Sequence, residues 1–277
     1  MKKLIVVAGG GIYPRMVVEG AKRAGVEKVD VLAVRGSTER ATRKAADETI
    51  EIGIGEIATG IRKIAERSYD GAILAGQVNP LSLFRSRFDD LTKAWLAELP
   101  VKTAHTLFGK LVEKFSAAGV KILPASLYMD GCLPGVGVLT GRSPTKEESD
   151  DLRHAVAVAG DMGVHDVGQT VMVKSGMVLA VEAFEGTNAA LKRGGRLGGK
   201  GSVVFKAARK GHDMRFDIPV VGLKTLKVMK RAGATALGFQ AGRLIMLERE
   251  KVVSFADVNG ISIVGFDSGL EPAPLRP

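Results

Sequence analysis

Residues 1–35 read MKKLIVVAGGGIYPRMVVEGAKRAGVEKVDVLAVR: an apolar run, a glycine turn, a helical pattern and a second apolar run. LIVVA is short and β-branched, as a buried strand is, and the pattern from about Pro14 to Ala24 has helical spacing. The alternation continues with VDVLAV and a helix over Thr38 to Ala46, TIEIGI and a helix over Glu56 to Ala65, then GAILAG. A long stretch from Leu81 to Leu99, a helix from about Thr106 to Ala117, and VKIL complete it. Strands that alternate with helices predict a parallel, doubly wound sheet.

At 277 residues and 45% hydrophobic content, the chain can bury two modest cores, so two domains are expected. The boundary falls in GCLPGVGVLTGRSPTKEES, residues 131–149, whose four glycines and two prolines leave no room for a long helix. This gives domains of 1–133 and 134–277. Ser143-Pro144 with Glu147 follows the N-cap, N1-proline and acidic-first-turn pattern, predicting a helix to about Met162. Val171 to Val173 and Met177 to Val181 flank the turn Lys174-Ser175-Gly176 and read as a hairpin. The second half is therefore also α/β.

The opening has five apolar or small residues, Leu4 to Ala8, before its glycines. A secretory core needs about 7 to 15, and no later run reaches the roughly 20 apolar residues that span a bilayer. A soluble protein is expected. Its single cysteine, Cys132, excludes an intrachain disulfide and fits a cytoplasmic location. The formal charge of +10 is concentrated, since residues 187–251 hold fifteen Lys or Arg against four Asp or Glu. Their local net of +11 predicts an anionic partner, for which a nucleic acid, a membrane surface or a phosphorylated small molecule would serve. Aromatics make up only 5%, which gives little support to stacking on nucleic acid, and none is expected as a partner.

Several stretches carry candidate chemistry. Gly9, Gly10 and Gly11 follow the first strand and open a helix, where glycines let backbone N–H groups approach a phosphate. A nicotinamide fingerprint is excluded, because Pro14 takes the third glycine position and Arg35 stands where an acid belongs. A plain strand-to-helix turn is the alternative. Asn79 lies in a loop at the ligand-binding edge of the presumed sheet, although Asn-Pro is also an ordinary turn. His105 serves equally as a capping or packing residue.

In the second half, Asp166, Gln169, Glu182 and Glu185 lie at or near strand ends, where a rigid scaffold can aim polar groups at a ligand. Glu185, Gly186 and Thr187 also read as a helix start. Between Lys206 and Pro219, cations suited to phosphate oxygens mix with Asp213 and Asp217, carboxylates suited to Mg²⁺. A surface ion-pair network is the competing reading. Paired Cys or His zinc spacing, a Walker lysine and a G-x-S-x-G elbow are all missing from the sequence.

With AGGGIYP, DVGQTVMV, VLAVEAFEGT, RGG, MRFDIPVVG and ADVNGISIVG together, nearly the whole chain resembles the LpxI-like UDP-2,3-diacylglucosamine pyrophosphatases of lipid A synthesis. The resemblance implies a Rossmann-like N-terminal domain, a second α/β domain and a ligand cleft between them. It also implies Mg²⁺-dependent splitting of a UDP-linked acylated sugar by water, giving UMP and the acylated sugar 1-phosphate. The family's motif aspartate falls on Asp217, and the mechanism expected from the residues around it has Asp217 with Glu182 or Asp213 placing Mg²⁺ and Lys206 and Arg215 stabilising phosphoryl charge. Gly9 to Gly11, Gln169, Glu182, Glu185 and Thr187 are carried over by the same matching as site residues, and Asn79, Asp166 and Gly186 join them at substrate binding from their places in the loops and strand ends read above. The chain departs from the family where Asn188 replaces an aspartate after E-G-T, and where Arg209-Lys210-Gly211-His212-Asp213 replaces K-P-x-Q-D. A non-catalytic binder of a nucleotide or anionic lipid is the alternative. An acylated substrate adds the expectation of peripheral contact with the inner membrane, and a homodimer is compatible with the sequence.

Overall fold

The computed structural model describes residues 1–78, 86–99, 104–165, 167–208, 213–216 and 218–267. The chain forms two compact units that divide after Asp130, with the segment beginning at Met214 returning to the first unit.

In the first unit, β1 (Lys3–Ala8), β2 (Lys28–Val34), β3 (Thr49–Ile52) and β4 (Gly71–Ala75) form a fully parallel sheet in the order β3-β2-β1-β4. The residues of β1, β2 and β4 are mostly buried, as both-face coverage of a parallel sheet demands, and edge strand β3 is buried at Ile50 and Ile52. Helices α1 (Tyr13–Arg23) and α2 (Arg40–Ala45) follow β1 and β2. Helix α3 (Ile57–Ala65) puts Ile61 and Ile64 into a core with Leu32, Ile52 and Leu74. Helices α4 (Asp90–Ala97) and α5 (Ala104–Ala117) add Trp95, Val112 and Phe115 to that core. The expected alternation is present.

The strand order reverses at β1, so β1 and β4 enclose the position where open α/β sheets hold ligands. Gly9 makes the close approach of these strand ends feasible, because a Cβ there would lie 2.6 Å from the Gln77 carbonyl oxygen. Gly76, at φ +95°, leaves β4 in a conformation that side chains avoid.

The second unit is built on a six-stranded mixed sheet. Its strands are β5 (Gly137–Val138), β6 (Thr170–Lys174), β7 (Met177–Val181), β8 (Ser202–Lys206), β10 (Ala234–Gln240) and β12 (Ser262–Phe266), in the order β5-β12-β10-β8-β6-β7. β8, β10 and β12 are parallel, while β5, and β6 against β8, pair antiparallel. β9 (Val220–Val221) and β11 (Ile245–Met246) make a separate two-stranded ribbon.

Period-two alternation splits the core of this unit. Val171, Val173, Val203 and Phe205 meet Leu152, Ala155 and Val156 of α6 (Lys146–Val164). Met172, Val204, Leu237 and Ile263 point the other way, into Leu191 of α7 (Thr187–Gly198), Leu226 and Met229 of α8 (Leu223–Ala232), and Val252 of α9 (Arg249–Val258).

The predicted hairpin is present, and Ser175 (φ 50°) and Gly176 (φ 74°) give it the primed turn that matches strand twist. The cap of α6 differs from expectation. Thr145, rather than Ser143, accepts the Glu148 N–H, while the Glu148 carboxylate accepts the Thr145 N–H. The reciprocal bond of a capping box outcompetes proline pre-organisation here.

Candidate functional site

In the second unit, four chain segments converge on a buried polar cluster. β8 ends at Lys206, only 5% exposed; β6 begins at Thr170; Glu182 follows β7; and Thr187 opens α7. The Lys206 ammonium donates to the Thr187 hydroxyl at 2.7 Å and to the Thr170 hydroxyl at 3.4 Å. Thr187 in turn donates to Glu182 Oε1 at 2.8 Å, and Glu182 Oε2 lies 3.9 Å from Lys206 Nζ. Burial pushes the Lys206 ammonium below its ordinary value, against the pull of Glu182 toward the charged form.

Gly168 explains how Glu182 gets there. A Cβ at this position would strike the Glu182 carbonyl, so glycine alone lets the Glu182 N–H reach the Thr170 carbonyl at 2.8 Å. Gly186, at φ 79°, turns the chain into α7, whose start has no side-chain cap and adds its positive end to Lys206. The cluster is thus arranged to receive an anion.

Sequence-matched residues fall in different places. Lys206, Glu182, Thr187 and Gly186 come together. The Gln169 carbonyl accepts the Ala207 N–H at 2.9 Å, which holds the start of β6 beside the end of β8. Glu185 instead closes a 2.7 Å ion pair with Arg193 and accepts the Ala183 N–H, just before the helix that Gly186 caps. Asp213 and Arg215 are half-buried on the turn carrying Met214, whose carbonyl accepts the Ala125 N–H. Asp217, Asp166 and Asn79 lie outside the described residues, as do Arg209 to His212. Thr170 was not singled out from sequence, because a threonine opening a strand gives no signal of its own.

Two of the three N-terminal glycines use their amides within the backbone. Gly9 donates its N–H to the Ala75 carbonyl and Gly10 to the Gln77 carbonyl, both at 2.8 Å, so neither amide is left to cradle a phosphate. These bonds join the ends of β1 and β4 beside an apolar cavity of about 150 Å³. Leu32, Ile61 and Phe115 form part of its buried wall, and Phe88, Trp95 and Phe108 also line it. Phe216 completes the lining, its ring stacked on Phe108 at 5.9 Å. The cavity was not anticipated, although four of its lining residues come from the ten phenylalanines and a fifth is the sole tryptophan.

The Mg²⁺ expectation can be tested on the donors present. Among the described residues no group of three or more His, Cys, Asp or Glu is placed to hold a metal. Glu182 Oε2 and Asn188 Oδ1 are, however, buried oxygens without a hydrogen-bond partner. A carboxylate and an amide oxygen fit a hard cation that takes its other ligands from water and substrate phosphates.

Residues 3–132 match the LpxI N-terminal domain and residues 135–264 the LpxI C-terminal domain. The chain belongs to the LpxI family. It is 30% identical over 289 residues to the protein of Caulobacter vibrioides named UDP-2,3-diacylglucosamine pyrophosphatase LpxI, covering 98% of this chain and 100% of that one. Among solved structures, the biotin carboxylase domain of a thermophilic 2-oxoglutarate carboxylase aligns at 14% identity and a TM-score of 0.25, over 63% of this chain and 35% of that one. That domain from Hydrogenobacter thermophilus aligns at 15% and 0.24, over 73% and 43%. Both values are too low to bear on the LpxI fold.

Proposed function

We propose that this LpxI family member hydrolyses UDP-2,3-diacylglucosamine to UMP and 2,3-diacylglucosamine 1-phosphate. Water adds its oxygen to one phosphorus as the bridging P–O bond breaks, and the charge that develops on the leaving oxygen needs nearby cations. One observation carries the reading: Phe216, which immediately precedes the motif aspartate Asp217, lines the apolar cavity. A hydrocarbon chain is the substrate part that such a cavity accepts.

Glu182 and Asn188 have the unpartnered oxygens that would hold Mg²⁺, which when bound neutralises phosphate charge and polarises the phosphoryl group, and Asp217 is the motif carboxylate on which turnover depends. Lys206 orients Thr187 and Glu182, and Arg215 adds positive charge beside the motif. The enzyme works on the cytoplasmic side, in peripheral contact with an anionic bilayer.

The test is UMP release from detergent-dispersed substrate. Wild type turns over and loses activity in EDTA, with recovery on Mg²⁺ addition. Asp217→Ala keeps its thermal midpoint and loses roughly 10²- to 10⁴-fold in rate. Stoichiometric ligand retention with no UMP from wild type would establish the non-catalytic binder instead.

A further inference from the structure

The outer faces of α7 and α8 carry a feature that the proposed chemistry does not use. Helix α7 buries Ala190, Leu191 and Gly194 and turns Lys192, Arg193 and Arg196 to solvent, with Lys200 just beyond its end. Helix α8 buries Leu226, Val228 and Met229 and exposes Lys224, Lys227, Lys230 and Arg231. Neither helix contains an Asp or Glu.

The two helices pack directly against each other. A Cβ on Gly195 would lie 2.6 Å from the Cα of Ala232, so the helices meet at backbone contact. Apart from Arg193, paired with Glu185 at 2.7 Å, none of these cations has an ion-pair partner among the described residues. Like charges three and four residues apart repel along each helix, and a merely solvated face would relieve that repulsion with acids. Leu197, 69% exposed, stands among the cations, and Met177, 65% exposed, lies on the edge strand β7 that α7 packs against.

We infer that the joined outer faces of α7 and α8 are a docking surface for an anionic lipid bilayer, with the cations on headgroups and Leu197 entering the interface. The exposed apolar side chains favour a bilayer over a nucleic acid, and the choice also rests on the acylated substrate proposed above. The placement ties docking to the site. Helix α7 begins at Thr187, in the Lys206 cluster, and ends about 17 Å away at the bilayer-facing cations and Leu197.

Flotation of the full chain tests this, using vesicles of phosphatidylcholine alone or of equal parts phosphatidylcholine and phosphatidylglycerol. Wild type should float with the anionic vesicles alone and be released at roughly 1 M NaCl, where the screening length is about 3 Å. Lys224→Glu/Lys227→Glu and Arg196→Glu/Leu197→Ser, each shown to be folded by circular dichroism, should each lose at least tenfold in vesicle affinity. Wild type left at the bottom with both vesicles, undiminished binding by the folded variants, or tighter binding to an oligonucleotide than to anionic vesicles would overturn the proposal. A separate arm measures UMP release from detergent-dispersed substrate, where both variants should match wild type. Absence of release from every protein, wild type included, would sink the hydrolase reading while the flotation result still decides the docking surface.

Discussion

Lys206 is a cation held where water cannot reach it, and that makes it both useful and costly. Because burial lowers its proton affinity below the ordinary 10.5, the native state binds this proton less tightly than the unfolded chain. Folding is therefore penalised while Lys206 must stay charged, and the penalty is relieved as pH rises through the folded-state value toward 10.5. Urea unfolding of wild type should show stability rising across that alkaline window, and Lys206→Met should flatten the rise. The same substitution should lower hydrolysis by roughly 10²- to 10³-fold, since it removes positive charge from the anion-receiving cluster. Gly168→Ala is expected to cost about 3 kcal/mol, because its methyl meets the Glu182 carbonyl in a packed site. Thermal denaturation of the variant measures this. The acids of this region were readable as strand-end residues, whereas their hydrogen-bond order depends on a β8–β6 register that no local pattern encodes.

At the scale of elements, α6 shows how a helix start can be tied into its surroundings. Arg142 forks onto both Glu148 oxygens at 2.7 and 2.9 Å and also donates to the Thr235 and Gly260 carbonyls. Burial would raise the Glu148 carboxyl, but the hydrogen bonds from Arg142 and the Thr145 N–H outweigh it and hold it below 4.5. A depressed carboxyl contributes stability above its unfolded value and loses it as pH falls through the folded one. Glu148→Gln, which keeps a cap acceptor but loses the charge, should cost about 2 kcal/mol at neutral pH. Its difference from wild type should shrink below pH 4.5 in acid titrations followed by circular dichroism. Long periodic elements such as α1, α6 and the β6–β7 hairpin were legible because their spacing repeats. β5, β9 and β11, two residues each, have no period to read and exist because a neighbouring strand supplies their partners.

For the whole molecule, the alternation in the first half was enough to read a parallel sheet. What the sequence did not disclose is that the chain crosses its own boundary again: after Asp213 it returns to the first unit, and at Ile218 it leaves once more. Such a return depends on distant partners, the Ala125 amide and the Phe108 ring, rather than on composition. A gene cut at the apparent boundary would therefore separate a fold from one of its own walls. The fragment 1–133 should bind a hydrophobic dye and melt below the intact protein, and fragment 134–277 supplied in trans should reverse both effects. Recombination between related proteins meets the same constraint. An N-terminal half exchanged at the joint would arrive facing a foreign Phe216, so the short motif must be inherited with the half from which it is farthest in sequence.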